Sequence, residues 1–225
     1  MKLVTALSTV ADGDMGFKSG TDTKTRNDNI KSFLDTYRIS IADTTRVAVT
    51  YNTNDFCRYR EVGTQDKNLG MLDGDINPAD ALVTRQPNHA LFLPLADCVG
   101  MIVFDPHKHI LMLSHIGRHS LEQNGAYQSI KFLVDNYRSD PSALQVQLTP
   151  APGKDNYPLF AFDNRDFKDV VLEQLKMAGI ISPNIINDPT DTTTDVRFHS
   201  HSEFLKGNQK TDGRYAIVAM MRLIY

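Results

Sequence analysis

Two apolar runs with four turn-forming residues between them limit the fold of this chain more than any other feature. Val99 to Asp105 (VGMIVFD) and Ile110 to Ser114 (ILMLS) read as strands, and Pro106-His107-Lys108-His109 has the length and composition of a hairpin turn. Pairing Asp105 with Lys108 places Cys98 directly opposite His115. Directly opposed side chains share a sheet face, with Cβ atoms about 5 Å apart. That separation suits two ligands of one zinc ion, or a thiolate–imidazolium pair. A register slip of one residue weakens the alignment but leaves the two as neighbours. A cysteine on an apolar strand is ordinarily a small hydrophobe, so the pair gains its weight from the rest of the pattern.

With 225 residues the chain can bury a proper core. Its net charge of -3 leaves no basic excess to neutralise phosphates, which argues against general nucleic-acid binding. The opening MKLVTALSTVADGDMG has a short, interrupted apolar stretch and no signal-peptide core, and no later segment reaches the roughly 18 apolar residues of a membrane span. A cytoplasmic protein without membrane attachment, monomeric or homodimeric, is expected. Cys57 and Cys98 do not make a disulfide framework, and Cys57 reads as structural.

The stretch around Gly13, Gly16 and Gly20 reads as loop, followed by an amphipathic helix over Asn27 to Tyr37. Arg46 to Tyr51, Ala81 to Thr84 and Ala90 to Leu95 read as strands, with a turn-rich loop over Asp73 to Asp80. Beyond the hairpin, helical spacing runs from Leu121 to Tyr137. A strand over Ala143 to Leu148 leads to the loop Thr149 to Lys154. A helix over Asp166 to Ala178 is closed by Gly179, and a final strand runs from Tyr215 to Ile224. Strands and helices alternate without a compositional break, giving one α/β domain over residues 1–225, a mixed sheet covered by helices.

Several short motifs stand in a fixed order: Ala79-Asp80-Ala81-Leu82-Val83-Thr84, Ala96-Asp97-Cys98, Ser114-His115-Ile116-Gly117, Phe198-His199-Ser200-His201 and Gly213-Arg214. Ser8-Thr9, Asp12-Gly13-Asp14-Met15 and Phe33-Leu34 precede them. In this order and spacing the chain resembles the laccase-domain family, also called multicopper polyphenol oxidase-like or YfiH-type proteins. The resemblance implies an α/β/α sandwich and a zinc site built from His, Cys and His. It also implies phosphorolysis of adenosine, inosine, guanosine or methylthioadenosine, with adenosine deamination as a second activity. The substrates would be a purine nucleoside and phosphate. The several His clusters of a multicopper site are missing, which sets laccase chemistry aside.

Carried over by position, Cys98 and His115 are the second and third metal ligands. The first, the His of a Gln-Val-His-Gly motif, falls on Tyr51 in Val49-Thr50-Tyr51-Asn52. A phenol, with a reference pKa of about 10, is a poor zinc ligand near neutral pH. Two protein ligands and waters would hold zinc weakly, unless His119, His199 or His201 replaces the third. The family's Gly-Trp-Arg-Gly becomes Gly117-Arg118-His119-Ser120, its Gly-Pro-Cys-Cys-Tyr becomes Pro152 to Tyr157 without cysteines, and an Arg after the second His motif becomes Ser202.

Arg118 and His119, just ahead of the expected helix at Leu121, are the candidate phosphate binders, with Arg214 and His201 as further substrate contacts. Asp97 is placed to orient His115 or a water, or to cap a turn. His199 and His201 would share one face of an extended segment. His107 and His109 belong to an exposed turn, and Asp73 and Asp75 to a solvated acidic loop. Three activities fit these residues: a purine nucleoside phosphorylase, a binding protein that has lost catalysis, and a metal-free cysteine hydrolase with Cys98 as nucleophile and His115 as base, acting on an amide such as a peptidoglycan precursor.

Overall fold

A computed structural model describes residues 1–72 and 76–223. The acidic-loop reading at Asp73 and Asp75, and the end of the last strand at Ile224, lie outside the described residues. Among the described residues ten strands and five α-helices follow one another as β1 (Lys2–Leu7), α1 (Thr23–Thr36), β2 (Thr44–Arg46), β3 (Tyr59–Glu61), β4 (Ala81–Thr84), β5 (Ala90–Leu95), β6 (Val99–Asp105), β7 (Ile110–Ile116), α2 (Arg118–Glu122), α3 (Gly125–Tyr137), β8 (Gln145–Leu148), α4 (Phe167–Met177), β9 (Ile185–Asn187), α5 (His201–Leu205) and β10 (Tyr215–Arg222). No helix among the described residues is long and apolar enough to cross a membrane.

The strands form two mixed sheets, ordered β1-β10-β5-β2 and β3-β4-β7-β6-β8-β9. Helices cover both outer faces, as the α/β/α reading expects, and the β layer between them is two sheets thick. The period of two along each strand explains how. Leu91 and Leu93 of β5 with Ile217 and Ala219 of β10 face Ile102 and Phe104 of β6 with Leu111 and Leu113 of β7, and this set fills the space between the sheets. The opposite face of the six-stranded sheet, with Met101, Val103 and Met112, packs on Ile130 and Leu133 of α3 and Val171 and Leu175 of α4. The opposite face of the four-stranded sheet, with Phe92 and Val218, packs on Ile30, Phe33 and Leu34 of α1.

The local differences from the sequence reading have physical causes. The opening segment contains β1, an edge strand antiparallel to β10 from Lys2↔Arg222 to Leu7↔Ile217. The strand expected over Arg46 to Tyr51 does not form: β2 (Thr44–Arg46) overlaps it only at Arg46, and residues 47–51 lie in a loop. The long helix from Leu121 divides into α2 and α3 because Asn124 adopts a left-handed conformation (φ 58°), which an amide side chain tolerates. The β6–β7 turn is longer than a two-residue hairpin. The Asp105 carboxylate accepts hydrogen bonds from the backbone N–H groups of His107 and Lys108 at 3.0 and 2.9 Å, His109 sits at φ 53°, and Asp105 pairs with Ile110. His115 therefore stands opposite Gly100, not Cys98. The correction is a shift of two residues, and a shift of two keeps every side chain on its face.

Candidate functional site

Cys98 immediately precedes β6 and His115 is the penultimate residue of β7, so both look into the gap between the sheets at one end of the sandwich. Each is almost completely buried, 8% and 6% exposed. The sequence positions Gly117 where β6 would otherwise face a side chain. A Cβ there would come within 2.9 Å of the His115 ring and 3.3 Å of the Cys98 sulfur. The missing side chain thus lets the imidazole and the thiol border one small space. The backbone N–H of His115 donates to the Asp80 carbonyl at 2.7 Å. The Asp80 side chain is in turn held by Arg58 through two contacts of 2.8 and 3.1 Å.

This pair forms the floor of a cavity of about 520 Å³. Tyr51, Asp97, Cys98, His115, Arg118, His119, His201 and Arg214 all line it. The geometry brings these eight candidates to one cavity, without His199, and gives several of them other partners than expected.

Asp97 does not orient His115. Its carboxylate accepts the Ser202 backbone N–H at 2.6 Å and the Thr192 hydroxyl at 3.3 Å, with its own backbone at φ 66°. It therefore ties the start of β6 to the first turn of α5. His199 and His201 do not share a face, because Ser200 caps α5 and the chain turns there. His199 is buried against Gly213, where a Cβ would overlap its ring. His201 enters the cavity and shares the Asp212 carboxylate (2.8 Å) with Arg214 (2.6 Å).

Arg118 and His119 lie within the first turn of α2 rather than ahead of a helix. The Arg118 guanidinium sits 4.6 Å over the Tyr157 ring, and its Nε is buried with no hydrogen-bond partner among the described residues. His119 stacks on Phe56 with ring centroids 4.8 Å apart. Reading the sequence missed Lys18 and Arg46 on the cavity wall, because nothing in their spacing marks them. It also missed Asp14, whose carboxylate accepts the Arg214 backbone N–H at 2.7 Å; the Asp12-Gly13-Asp14-Met15 motif was its only signal.

Burial sets the protonation of the floor. It pushes the Cys98 thiol up to about 12, assisted by the Asp97 charge and opposed by Arg214 and Arg118. It pulls His115 down to about 4, against the Asp80 charge. Near neutral pH the floor is therefore an uncharged thiol beside an uncharged imidazole. The His115 Nδ1 is buried without a hydrogen-bond partner among the described residues. The walls carry the charge: Lys18, Arg46, Arg118 and Arg214 line them, Arg214 being paired with Asp212, and Asp97 supplies the carboxylate among the lining residues.

These donors do not fit a zinc ion. Catalytic zinc takes three protein ligands, with thiolate as the sulfur form. Cys98 and His115 are two, and no group of three or more His, Cys, Asp or Glu side chains among the described residues is placed to hold a metal. The third position is a phenol, Tyr51, whose proton is held still more firmly beside Cys98. His119 is engaged by Phe56 and Glu122 and His201 by Asp212, while His199 does not line the cavity. A dication here would also face Arg118 and Arg214.

Among curated proteins none matches the chain. Three solved structures resemble it along nearly its whole length. The hypothetical protein YfiH of Bacillus licheniformis superposes with a TM-score of 0.86 at 19% identity, covering 98% of this chain and 93% of that one. YlmD of Geobacillus stearothermophilus gives 0.86 at 20% identity, covering 98% and 92%. Protein NMB0706 of Neisseria meningitidis gives 0.74 at 15% identity, covering 98% and 95%. At these identities the likeness establishes the fold. Residues 6–167 match the model of the family described as multi-copper polyphenol oxidoreductase laccase. With that match spanning most of the sequence, the chain belongs to this laccase-like, YfiH-type family.

Proposed function

We propose that the cavity binds a purine nucleoside together with phosphate and catalyses phosphorolysis of the N-glycosidic bond without a metal. The observation that carries this reading is the concentration of cations around an uncharged floor. A chain with a net charge of -3 gathers Lys18, Arg46, Arg118 and Arg214 on one cavity, and the Arg118 guanidinium has no carboxylate partner among the described residues. Cations held in a partly enclosed site favour an anionic ligand and the charge that develops on it.

In the proposed reaction a phosphate oxygen forms a bond to C1′ as the bond from C1′ to the purine nitrogen breaks. The electron pair leaves with the base, and the proton that phosphate gives up ends on the base. Arg118 and Arg214 hold and orient the phosphate. Cys98, a neutral thiol held near 12, and His115, a neutral imidazole held near 4, present uncharged hydrogen-bonding groups from the floor; neither titrates near neutral pH, where a general acid or base works best, so the proton passes from the phosphate to the base. The same protonation state disfavours the cysteine hydrolase, which needs a thiolate.

The test is purine release from adenosine, inosine, guanosine and methylthioadenosine by purified protein, with and without phosphate, in the presence of a chelator. Phosphate-dependent release of base with equimolar ribose 1-phosphate, unaffected by the chelator, is the expected result. No release from any of the four, with nucleoside binding retained, would replace this reading with that of a binding protein.

A further inference from the structure

Tyr51 is 64% exposed, which is unusual for a large aromatic side chain on a cavity wall. Single exposed aromatics are ordinary on protein surfaces, but this one belongs to a group. Its ring centroid lies 6.4 Å from that of Phe56 and 6.5 Å from that of His119, while Phe56 and His119 stack at 4.8 Å with an interplanar angle of 28°. Tyr51 and His119 both line the cavity, so the three rings form one aromatic patch at its mouth.

The patch is held in place rather than left to the loop. The Gln123 side chain, at the end of α2, accepts the Phe56 N–H and donates to the Asn54 carbonyl, both at 2.8 Å. This clamp fixes the loop carrying Phe56 to the helix carrying His119. On the inner side Tyr51 lines the same cavity as Cys98 and His115, so its ring borders both the interior and the solvent. The cations on the walls suit the anionic part of a ligand, whereas the aromatic patch suits a flat one.

We infer that Tyr51, backed by Phe56 and His119, is the platform on which the planar base of the substrate stacks, and that Tyr51 is the residue selecting a heteroaromatic ring. This rests on the nucleoside reading given above and adds to it the position of the base. Stacked on Tyr51, the base lies over the mouth with its glycosidic bond turned inward to Cys98 and His115. Phosphate then approaches from the side of Arg118 and Arg214. Recognition by stacking tolerates different purines, because each presents a π face.

The chain contains no tryptophan, so Tyr51→Trp introduces a single fluorescent reporter. Calorimetric titration with adenosine, in the presence of phosphate, compares the native protein with Tyr51→Ala, Tyr51→Phe and Tyr51→Trp. Tyr51→Ala should bind about tenfold more weakly or worse, as loss of one base–aromatic stack implies. Tyr51→Phe should stay within about threefold of native, because the stack survives. The emission of Tyr51→Trp should change on adding adenosine and stay constant on adding ribose 5-phosphate. Native-like binding by Tyr51→Ala overturns the inference and leaves the nucleoside reading standing, as does a loss in Tyr51→Phe equal to that in Tyr51→Ala. Failure of the native protein to bind adenosine, inosine or guanosine overturns both.

Discussion

The floor and the walls of the cavity are built on opposite physical terms. The floor, Cys98 and His115, hangs from two strands whose every residue is buried. It is buried, uncharged near neutral pH and positioned by ladder hydrogen bonds, by the Asp80–Arg58 pair and by a glycine that makes room. The walls, Tyr51, Arg118, His119, His201 and Arg214, come from loops and from two five-residue helices, are partly exposed, and are charged or aromatic. The floor is therefore part of what folds the protein, whereas the walls decide what enters. Substitutions on the two should separate: stability should move with the floor, ligand and rate with the walls.

The largest effect should come from the wall. Arg118→Ala removes a guanidinium that packs on Tyr157 and makes no ion pair among the described residues. Loss of one preorganised donor to a developing charge costs about 10²–10³-fold in rate. Phosphorolysis should fall by that amount with the thermal midpoint nearly unchanged. An equal loss in Arg118→Lys would show that the two-pronged geometry, and not the charge alone, is needed. A collapse in stability would place Arg118 with the floor and break the comparison.

Acid should act on the floor. His115 is held near 4, and His89, buried beside Thr45, is also held near 4 chiefly by burial. Both folded values lie below the unfolded value of about 6.5. Above that value both states are neutral and neither histidine affects stability. As pH falls from 6.5 towards 4, the unfolded chain takes up protons that the folded chain refuses, so stability is lost. The loss approaches on the order of 3 kcal/mol for each histidine. Chemical denaturation across this range should show it, and His115→Asn should remove one share. A flat profile between pH 6.5 and 4 would show that the floor is wet.

Asp97 joins the two regions, and its substitution should sit between these extremes. Asp97→Ala leaves the Ser202 N–H and the Thr192 hydroxyl without their acceptor and puts alanine at positive φ, costing about 2 kcal/mol. Asp97→Asn keeps an acceptor and tolerates the backbone, so about 1 kcal/mol should be lost. Because Ser202 follows His201, both changes should also raise KM more than they lower kcat. Loss of stability with unchanged KM would make Asp97 a fold residue only.

The same division explains how much could be read from the sequence. The β6–β7 hairpin and the facing of Cys98 and His115 were legible because apolar runs and turn residues encode them locally. The register was misplaced by two because the Asp105 side chain caps a longer turn, which composition does not distinguish from a tight one. β1, β3 and β9 were not seen. Each is an edge strand, with a single neighbour to bury it and a correspondingly weak apolar pattern. Lys18, Arg46 and Asp14 reach the cavity from segments whose placement depends on the whole topology. The sheet doubling is likewise a matter of which face meets which, and alternation along one strand does not tell sheet from helix as the partner.

Tyr51→His should have the smallest effect on stability, within about 0.5 kcal/mol, because position 51 is exposed and lies in a loop. Its consequence should appear in metal affinity. Cys98 and His115 already face the cavity, and an imidazole at 51 would bring the protein ligands to three, the number a catalytic zinc site takes. Zinc entry must still displace the Cys98 proton, so affinity should rise with pH and be weakened by Arg118 and Arg214. Elemental analysis of the purified variant should show zinc that is absent from the native protein and lost again in Tyr51→His/Cys98→Ala. Stoichiometric zinc in the native protein would mean that the floor takes up a metal despite its phenol. No zinc in the variant would mean that the loop holds position 51 out of reach of the floor. Either result would redraw the boundary between floor and wall at Tyr51.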